Sequence, residues 1–186
     1  ALTSTLYRFQ LELSDIDRAI YESLDLRVPL HPSEDEERMV VRVLARAIAH
    51  EEGLEFGRGL SNVEDPALHT TSLSGQLLTW IDVGIPSADR LHRASKKVDR
   101  LLVFTHKLEV PLKKEWGSRK IHGAESIELV RLDTAFIREL ATDLPRSVTW
   151  YVTIQDGRLS VAQDERSLDT PIERSTLNAF LTGDAA

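Results

Sequence analysis

Asp82 stands inside an apolar run of Leu77, Leu78, Trp80, Ile81, Val83 and Ile85 that reads as a strand covered on both faces. A carboxylate placed there is costly to desolvate and needs a partner. Gly84 and Pro86 lead from this strand into a short helix on which Arg90, Arg93 and Lys97, three and four apart, share one face. An acid lining a cleft beside a basic helix is the chemistry of a divalent-metal or phosphate site. Two plainer readings stand beside it: an Asp at a sheet edge facing water, and a helix face that is simply solvated.

The composition limits the partners. The chain has 186 residues, long enough for one well-cored domain over 1–186, and no Pro/Gly/Ser-rich stretch divides it. A net charge of −7 does not suit a general nucleic-acid coat, so any contact with nucleic acid must be local. With no cysteine, thiol catalysis, disulfides and Cys-ligated metals are excluded. The six histidines have no i, i+4 metal spacing, and there is no P-loop, dinucleotide fingerprint or Gly-x-Ser-x-Gly elbow. No run of about 18 apolar residues exists, and Arg8 and Glu12 interrupt the N-terminal stretch where a signal core would lie. The expectation is a cytoplasmic protein with no membrane contact. Trp80, Trp116 and Trp150 read as core or rim packing.

Several elements must position these residues. Tyr7, Phe9, Leu11 and Leu13 alternate with polar neighbours, the pattern of a half-buried strand, and Leu24, Leu26, Val28 and Leu30 repeat it after a turn at Ser14–Asp17. An antiparallel opening hairpin follows. Ser33 as N-cap with Glu36 as its capping-box partner starts a helix whose apolar stripe is Met39, Val40, Val43, Leu44, Ala47 and Ile48. Short strands are expected at Leu54–Arg58 and Leu68–Leu73. Ser87 caps the basic helix, and Leu101–Thr105 is a buried strand pairing in parallel with the Asp82 strand. Beyond a Lys-rich polar segment (Lys107, Lys113, Lys114, Arg119, Lys120) come a strand at Ser126–Leu132, a helix from Thr134 capped by Asp133, and a hairpin turning on Asp156-Gly157. From about Asp164 a loosely packed tail is expected.

The strings His31-Pro32-Ser33-Glu34, Glu37-Arg38-Met39, Phe56-Gly57-Arg58-Gly59-Leu60, Trp80 to Pro86, Leu102 to Thr105 and Thr153-Ile154-Gln155-Asp156-Gly157 together resemble the YaeQ family of bacterial proteins. The resemblance runs in order along nearly the whole chain. It implies an α/β fold with a mixed sheet, its core (about 33–106) similar to the PD-(D/E)XK restriction-endonuclease-like order of helix, three strands, helix and strand. An N-terminal β-hairpin and a C-terminal strand, helix and hairpin would elaborate that core.

Such nucleases hold Mg²⁺ on converging carboxylates, with a lysine on the same strand to orient water and stabilise charge. Carried onto this chain, Asp65 (inverted as Asp65-Pro66) or its neighbour Glu64 matches the first acid loosely, Asp82 matches the second well, and Glu37 is the candidate helix acid. Asp65 before Pro66 is equally a turn initiator, and Glu37 equally a salt-bridge partner of Arg42. The lysine position holds Gly84, a departure from the pattern. Arg90 or Arg93 projecting back over the strand end would replace the charge but not the base, since arginine stays protonated at neutral pH. Two function classes remain open. One is a Mg²⁺- or Mn²⁺-dependent phosphodiesterase with Glu37, Asp65, Asp82 and Arg93 as catalytic set, Asp65 and Asp82 holding the metal, and Arg90, Arg93 and Lys97 the phosphates. The other is a non-catalytic module that docks a protein or RNA.

Overall fold

The computed structural model describes residues 3–58 and 65–183. In chain order the elements are β1 (Thr5–Asp15), β2 (Ile20–Leu30), α1 (Glu36–Ile48), β3 (Glu55–Phe56), β4 (Leu68–Thr71), β5 (Leu77–Val83), α2 (Ala88–Ala94) and β6 (Arg100–Thr105). There follow α3 (Glu109–Trp116), β7 (Glu128–Arg131), α4 (Thr134–Ala141), β8 (Ser147–Gln155), β9 (Arg158–Gln163), β10 (Arg166–Pro171), β11 (Glu173–Thr176) and α5 (Leu177–Thr182). They form a mixed α/β protein with two mixed sheets. Two compact units emerge, Ala1–His50 with Leu132–Ile172 and Glu51–Arg131 with Glu173–Ala186. Each draws on both halves of the chain, so no linker composition marks a boundary between them.

The first unit carries a sheet in the order β10-β9-β8-β1-β2. The period-two apolar residues of β1, Tyr7, Phe9, Leu11 and Leu13, are all buried, as their alternation requires. Phe9 meets Trp150 of β8 edge to face at 5.0 Å, and the Trp150 indole donates to Gln163 Oε1 at 2.9 Å. Each such side chain taken fully from water contributes about 1.5–3 kcal/mol. The Asp156-Gly157 turn has both residues at positive φ (51° and 69°), the type I′ geometry expected of that pair. The carboxylate of Asp17 pins it by accepting from both backbone N–H groups, at 2.8 and 2.9 Å.

The start of α1 differs from the sequence expectation. Asp35, not Ser33, is the N-cap and accepts from Arg38 N at 2.8 Å. Ser33 is drawn away by His31, whose Nδ1 lies 2.8 Å from its hydroxyl, and Glu34 turns inward to meet Arg38 and Arg42. The helix itself follows the expected stripe, with Met39, Val40, Val43, Leu44, Ala47 and Ile48 buried.

The second unit is built on a sheet in the order β11-β7-β6-β5-β4-β3. β5, β6 and β7 run parallel, with Ile81 beside Leu102 and Val103 beside Leu129, as the strand, helix, strand rhythm requires. β3 can approach β4 only because residue 57 is glycine: a Cβ there would fall 1.9 Å from the Pro66 carbonyl oxygen. One face of the sheet buries Trp80, Leu101, Val103 and Leu129 with Leu91 of α2, Leu112 and Trp116 of α3, and Leu177 and Phe180 of α5. The Trp116 indole donates to Pro86 O at 2.9 Å.

Two expectations are corrected here. The Lys-rich segment forms α3, because Leu112 and Trp116 lie one turn apart and both reach the core; the lysines occupy its outer surface. The stretch after Asp164 is not a loose tail. It supplies β10, β11 and α5, Thr176 capping the helix through Ala179 N at 3.0 Å and Leu177 fully buried. Among the described residues no helix is long and apolar enough to cross a membrane.

Candidate functional site

Asp82 is 3% exposed, on the same face of β5 as Trp80. The residue that answers its charge is Arg90, in the first turn of α2. Ser87 caps that helix by accepting from Arg90 N at 3.0 Å, which sets the helix start so that Arg90 reaches back over the strand end. Its Nε donates to Asp82 Oδ2 at 2.7 Å and its Nη2 to Oδ1 at 3.1 Å, a two-point fork onto both carboxylate oxygens. The same Nη2 donates to the backbone oxygen of Asp65 at 2.6 Å, and the guanidinium carbon lies 5.3 Å from the centre of the Trp80 ring. Trp80 thus supplies a π face, Asp82 a carboxylate and Asp65 a carbonyl to one cation.

Asp65 therefore enters this site through its backbone. Its carboxylate is turned to Arg58, whose Nε stands 2.7 Å from Oδ2. Glu37 lies in the first turn of α1, in the first unit, beside a small hollow of about 130 Å³ lined also by Asp35, Arg138 and Thr142. Glu64 lies outside the described residues. The second unit brings together Asp82, Arg90 and the Asp65 carbonyl; Arg93 and Lys97 are exposed at and just beyond the far end of α2.

Gly84, at the place of the nuclease lysine, has φ +90° and donates its N–H to Phe104 O at 2.9 Å. A side chain at that angle costs about 1 kcal/mol or more, so the backbone turn leaving β5 selects glycine and leaves no room in the pattern for lysine. Divalent ions of the magnesium type need several converging oxygens. Here both oxygens of Asp82 carry guanidinium bonds, and among the described residues no three His, Asp or Glu side chains gather to hold a metal ion. Among the described residues the donor set in this arrangement does not fit Mg²⁺ or Mn²⁺.

The stretch of chain that follows this closed acid is basic: from Arg90 to Lys120 it holds ten Lys and Arg against three Asp and Glu. Over their whole segments the first unit holds ten against sixteen and the second thirteen against fourteen. Arg93, Lys96 and Lys97 are exposed on α2 and the turn that continues it, where Lys96 N and Lys97 N donate to Arg93 O and Ala94 O. Sequence reasoning did not reach a second feature nearby: His92 and His122, 30 residues apart in the chain, meet with ring centres 6.3 Å apart beside a cleft. Scattered histidines carry no spacing signal that would have joined them.

Comparison with known proteins bears on this arrangement. A family model described as YaeQ protein matches residues 1–172. The chain is 26% identical over 170 residues to the uncharacterized protein YaeQ of Escherichia coli (strain K12), covering 91% of this chain and 94% of that one. Among solved structures it is similar to the crystal structure of YaeQ protein from Pseudomonas syringae, with a TM-score of 0.86 at 37% identity over 93% of this chain and 96% of the other. The YaeQ protein from Xanthomonas axonopodis pv. citri gives 0.84 at 30% identity, over 94% and 99%.

Proposed function

The chain belongs to the YaeQ family, and from that premise we propose that its second unit is a nuclease-like module without metal catalysis, which docks single-stranded RNA through the exposed cations on and after α2. The order β3, β4, β5, α2, β6 within that unit, preceded in the chain by α1 of the first unit, supports the likeness to the PD-(D/E)XK core. One observation carries the departure from catalysis: the Arg90 fork on Asp82 puts a fixed guanidinium where a nuclease would place its metal. An internal arginine neutralises the carboxylate permanently and offers neither a Lewis acid nor an activated water.

What is left at this end of the unit is positive surface. Arg93, Lys96 and Lys97 lie within five residues of one another on the α2 turn, and cations so placed bind a phosphate backbone by releasing its counterions. Binding of that kind is weakly sequence-dependent and strongly salt-dependent.

The experiment is fluorescence anisotropy with a labelled single-stranded RNA oligomer over a salt series. Three phosphate contacts predict that log K falls against log salt with a slope of about −2. Replacing Arg93, Lys96 and Lys97 together by Ala flattens that slope while leaving the folded chain intact, because all three are exposed. A slope unchanged in the triple variant would defeat the assignment. RNA cleavage that requires Mn²⁺ and disappears in Asp82→Asn would restore the catalytic reading.

A further inference from the structure

Among the described residues four strands lie at the edges of the two sheets. Three are short: β3 has two residues, β11 four and β10 six. The fourth, β2, runs 11 residues in unbroken register along β1 and carries no lysine. Sheet edges are ordinarily blunted by shortness, lysine, proline or a bulge. On β2 only Pro29, near the end, does so.

The hydrogen bonds of β1 fix which groups of β2 are turned outward. Arg8 N donates to Arg146 O and Ile16 N to Ile154 O, so the even-numbered residues of β1 turn toward β8 and the odd-numbered ones toward β2. In an antiparallel pair, opposed residues that exchange hydrogen bonds both point at each other. The even-numbered residues of β2 therefore bond to β1. The peptide groups of Tyr21, Ser23, Asp25 and Arg27 point away from it, with no strand beyond them among the described residues. Pro29 belongs to the same outward set, where its missing N–H breaks no bond to β1. Its carbonyl accepts from Arg42 Nη2 at 2.9 Å, which ends the open stretch.

The side chains along this edge are incomplete on both faces. Leu24 and Leu26 stand opposite the fully buried Leu11 and Phe9 but are themselves only half-buried. On the other face Arg27 stands directly opposite Arg8, a like-charge pair. Arg8 turns instead to Asp25, donating from Nε and Nη2 at 3.0 Å each. Arg27 is exposed, and among the described residues no acid forms an ion pair with it.

A second copy of β2 supplies what both faces lack. Antiparallel pairing about a twofold axis at Leu26 sets Leu26 against its own counterpart, Leu24 against Val28, and Asp25 against Arg27 on each side of the axis. In that register Asp25 and Arg27 are also the residues whose outward N–H and C=O groups meet and exchange both bonds. Moving the axis one residue either way sets Asp25 against Asp25 or Arg27 against Arg27. A carboxylate has about four lone-pair sites, so Asp25 can accept from Arg8 of its own chain and from Arg27 of the second copy together. We propose that the chain forms a twofold dimer through β2, the two five-stranded sheets joining edge to edge about Leu26.

The test is sedimentation velocity of the full chain over a dilution series from about 1 to about 300 µM. A species of twice the 21.0 kDa monomer mass is expected to grow with concentration. Arg27→Glu removes the opposition to Arg8 within the chain and sets an acid against Asp25 across the axis. It should leave the circular dichroism spectrum unchanged and weaken dimerisation by at least about tenfold. Asp25→Arg should also dissociate the dimer, by setting Arg against Arg27. Mixed in equal amounts, the two variants regain both opposite-charge pairs, and a heterodimer should form at concentrations where each alone is a monomer. Monomer mass throughout the wild-type series, or a wild-type dimer unmoved by Arg27→Glu, would overturn the proposal. A mixture that stays monomeric would overturn the register about Leu26.

Discussion

Each unit of this protein buries a carboxylate against arginine, and the two arrangements do different work. In the first unit Glu34, its side chain 1% exposed, is held by Arg38 and Arg42, and Arg42 Nη2 also donates to Pro29 O at 2.9 Å. That network ties the end of β2 to α1 inside a unit whose segments are strongly acidic, with Asp35, Glu36 and Glu37 directly following Glu34. In the second unit Asp82 is held by Arg90, which also meets the Trp80 ring and the Asp65 carbonyl, and the exposed cations on and just after α2 follow within one or two turns. A buried ion pair is therefore not by itself a sign of a site. The surface charge around it separates a strut from a rim.

Breaking each pair gives the largest effects. Glu34→Ala leaves two arginines facing one another and should cost about 4 kcal/mol in urea unfolding. Asp82→Ala should cost about 3 kcal/mol, less because Arg90 is 22% exposed and retains some water. Replacing both members of the second pair, Asp82→Leu with Arg90→Leu, should recover much of that loss, as apolar residues often substitute for buried ion pairs. If Asp82→Ala were as mild as a surface substitution, the fork would not be holding the carboxylate.

A smaller effect comes from the turn leaving β5. Gly84→Lys restores the residue type of the nuclease pattern but forces a side chain into the left-handed region, so a loss of about 1–2 kcal/mol is expected in the same unfolding assay, with no gain of nuclease activity. An increase in stability would show that the backbone there relaxes.

The smallest is a pH effect at the cleft wall. Partial burial, then Arg119 and Lys96, hold the His92 imidazolium disfavoured and its pKa below the ordinary value. For a group whose folded pKa is depressed, the stabilising contribution is present above the unfolded value of about 6.5 and is lost as pH falls through the folded value. The His122 N–H donates to His92 Nδ1 at 3.0 Å, and its amide exchange, after correction for intrinsic rate, should show protection at pH 7.5 that declines below pH 6. Protection independent of pH would mean that His92 is not the acceptor.

Much of this architecture was legible from periodicity. The alternation of β1, the apolar stripe of α1, the Ser87 cap and the Asp156-Gly157 turn each depend on local chemistry, and each sits where that chemistry places it. Errors arose where a tertiary contact outbid a local one. Ser33 had the form of a cap but is engaged by His31, and Asp35 takes its place; lysines masked the Leu112 and Trp116 stripe of α3; Leu177 and Phe180 are too few to announce a helix, yet both enter the core of the second unit. At the site, the buried acid and the basic helix were readable as neighbours, and an arginine reaching back over the strand was expected. That it would grip Asp82 with both arms, and that Asp65 would present a carbonyl, depends on distances no spacing encodes.

The most direct measurement is a calorimetric titration of Mn²⁺ into the wild-type chain and Asp82→Asn. With Asp82 closed by Arg90, no saturable heat is expected from the wild type and no difference between the two proteins. Stoichiometric Mn²⁺ binding by the wild type that is lost in Asp82→Asn would contradict the account and place a metal at the carboxylate.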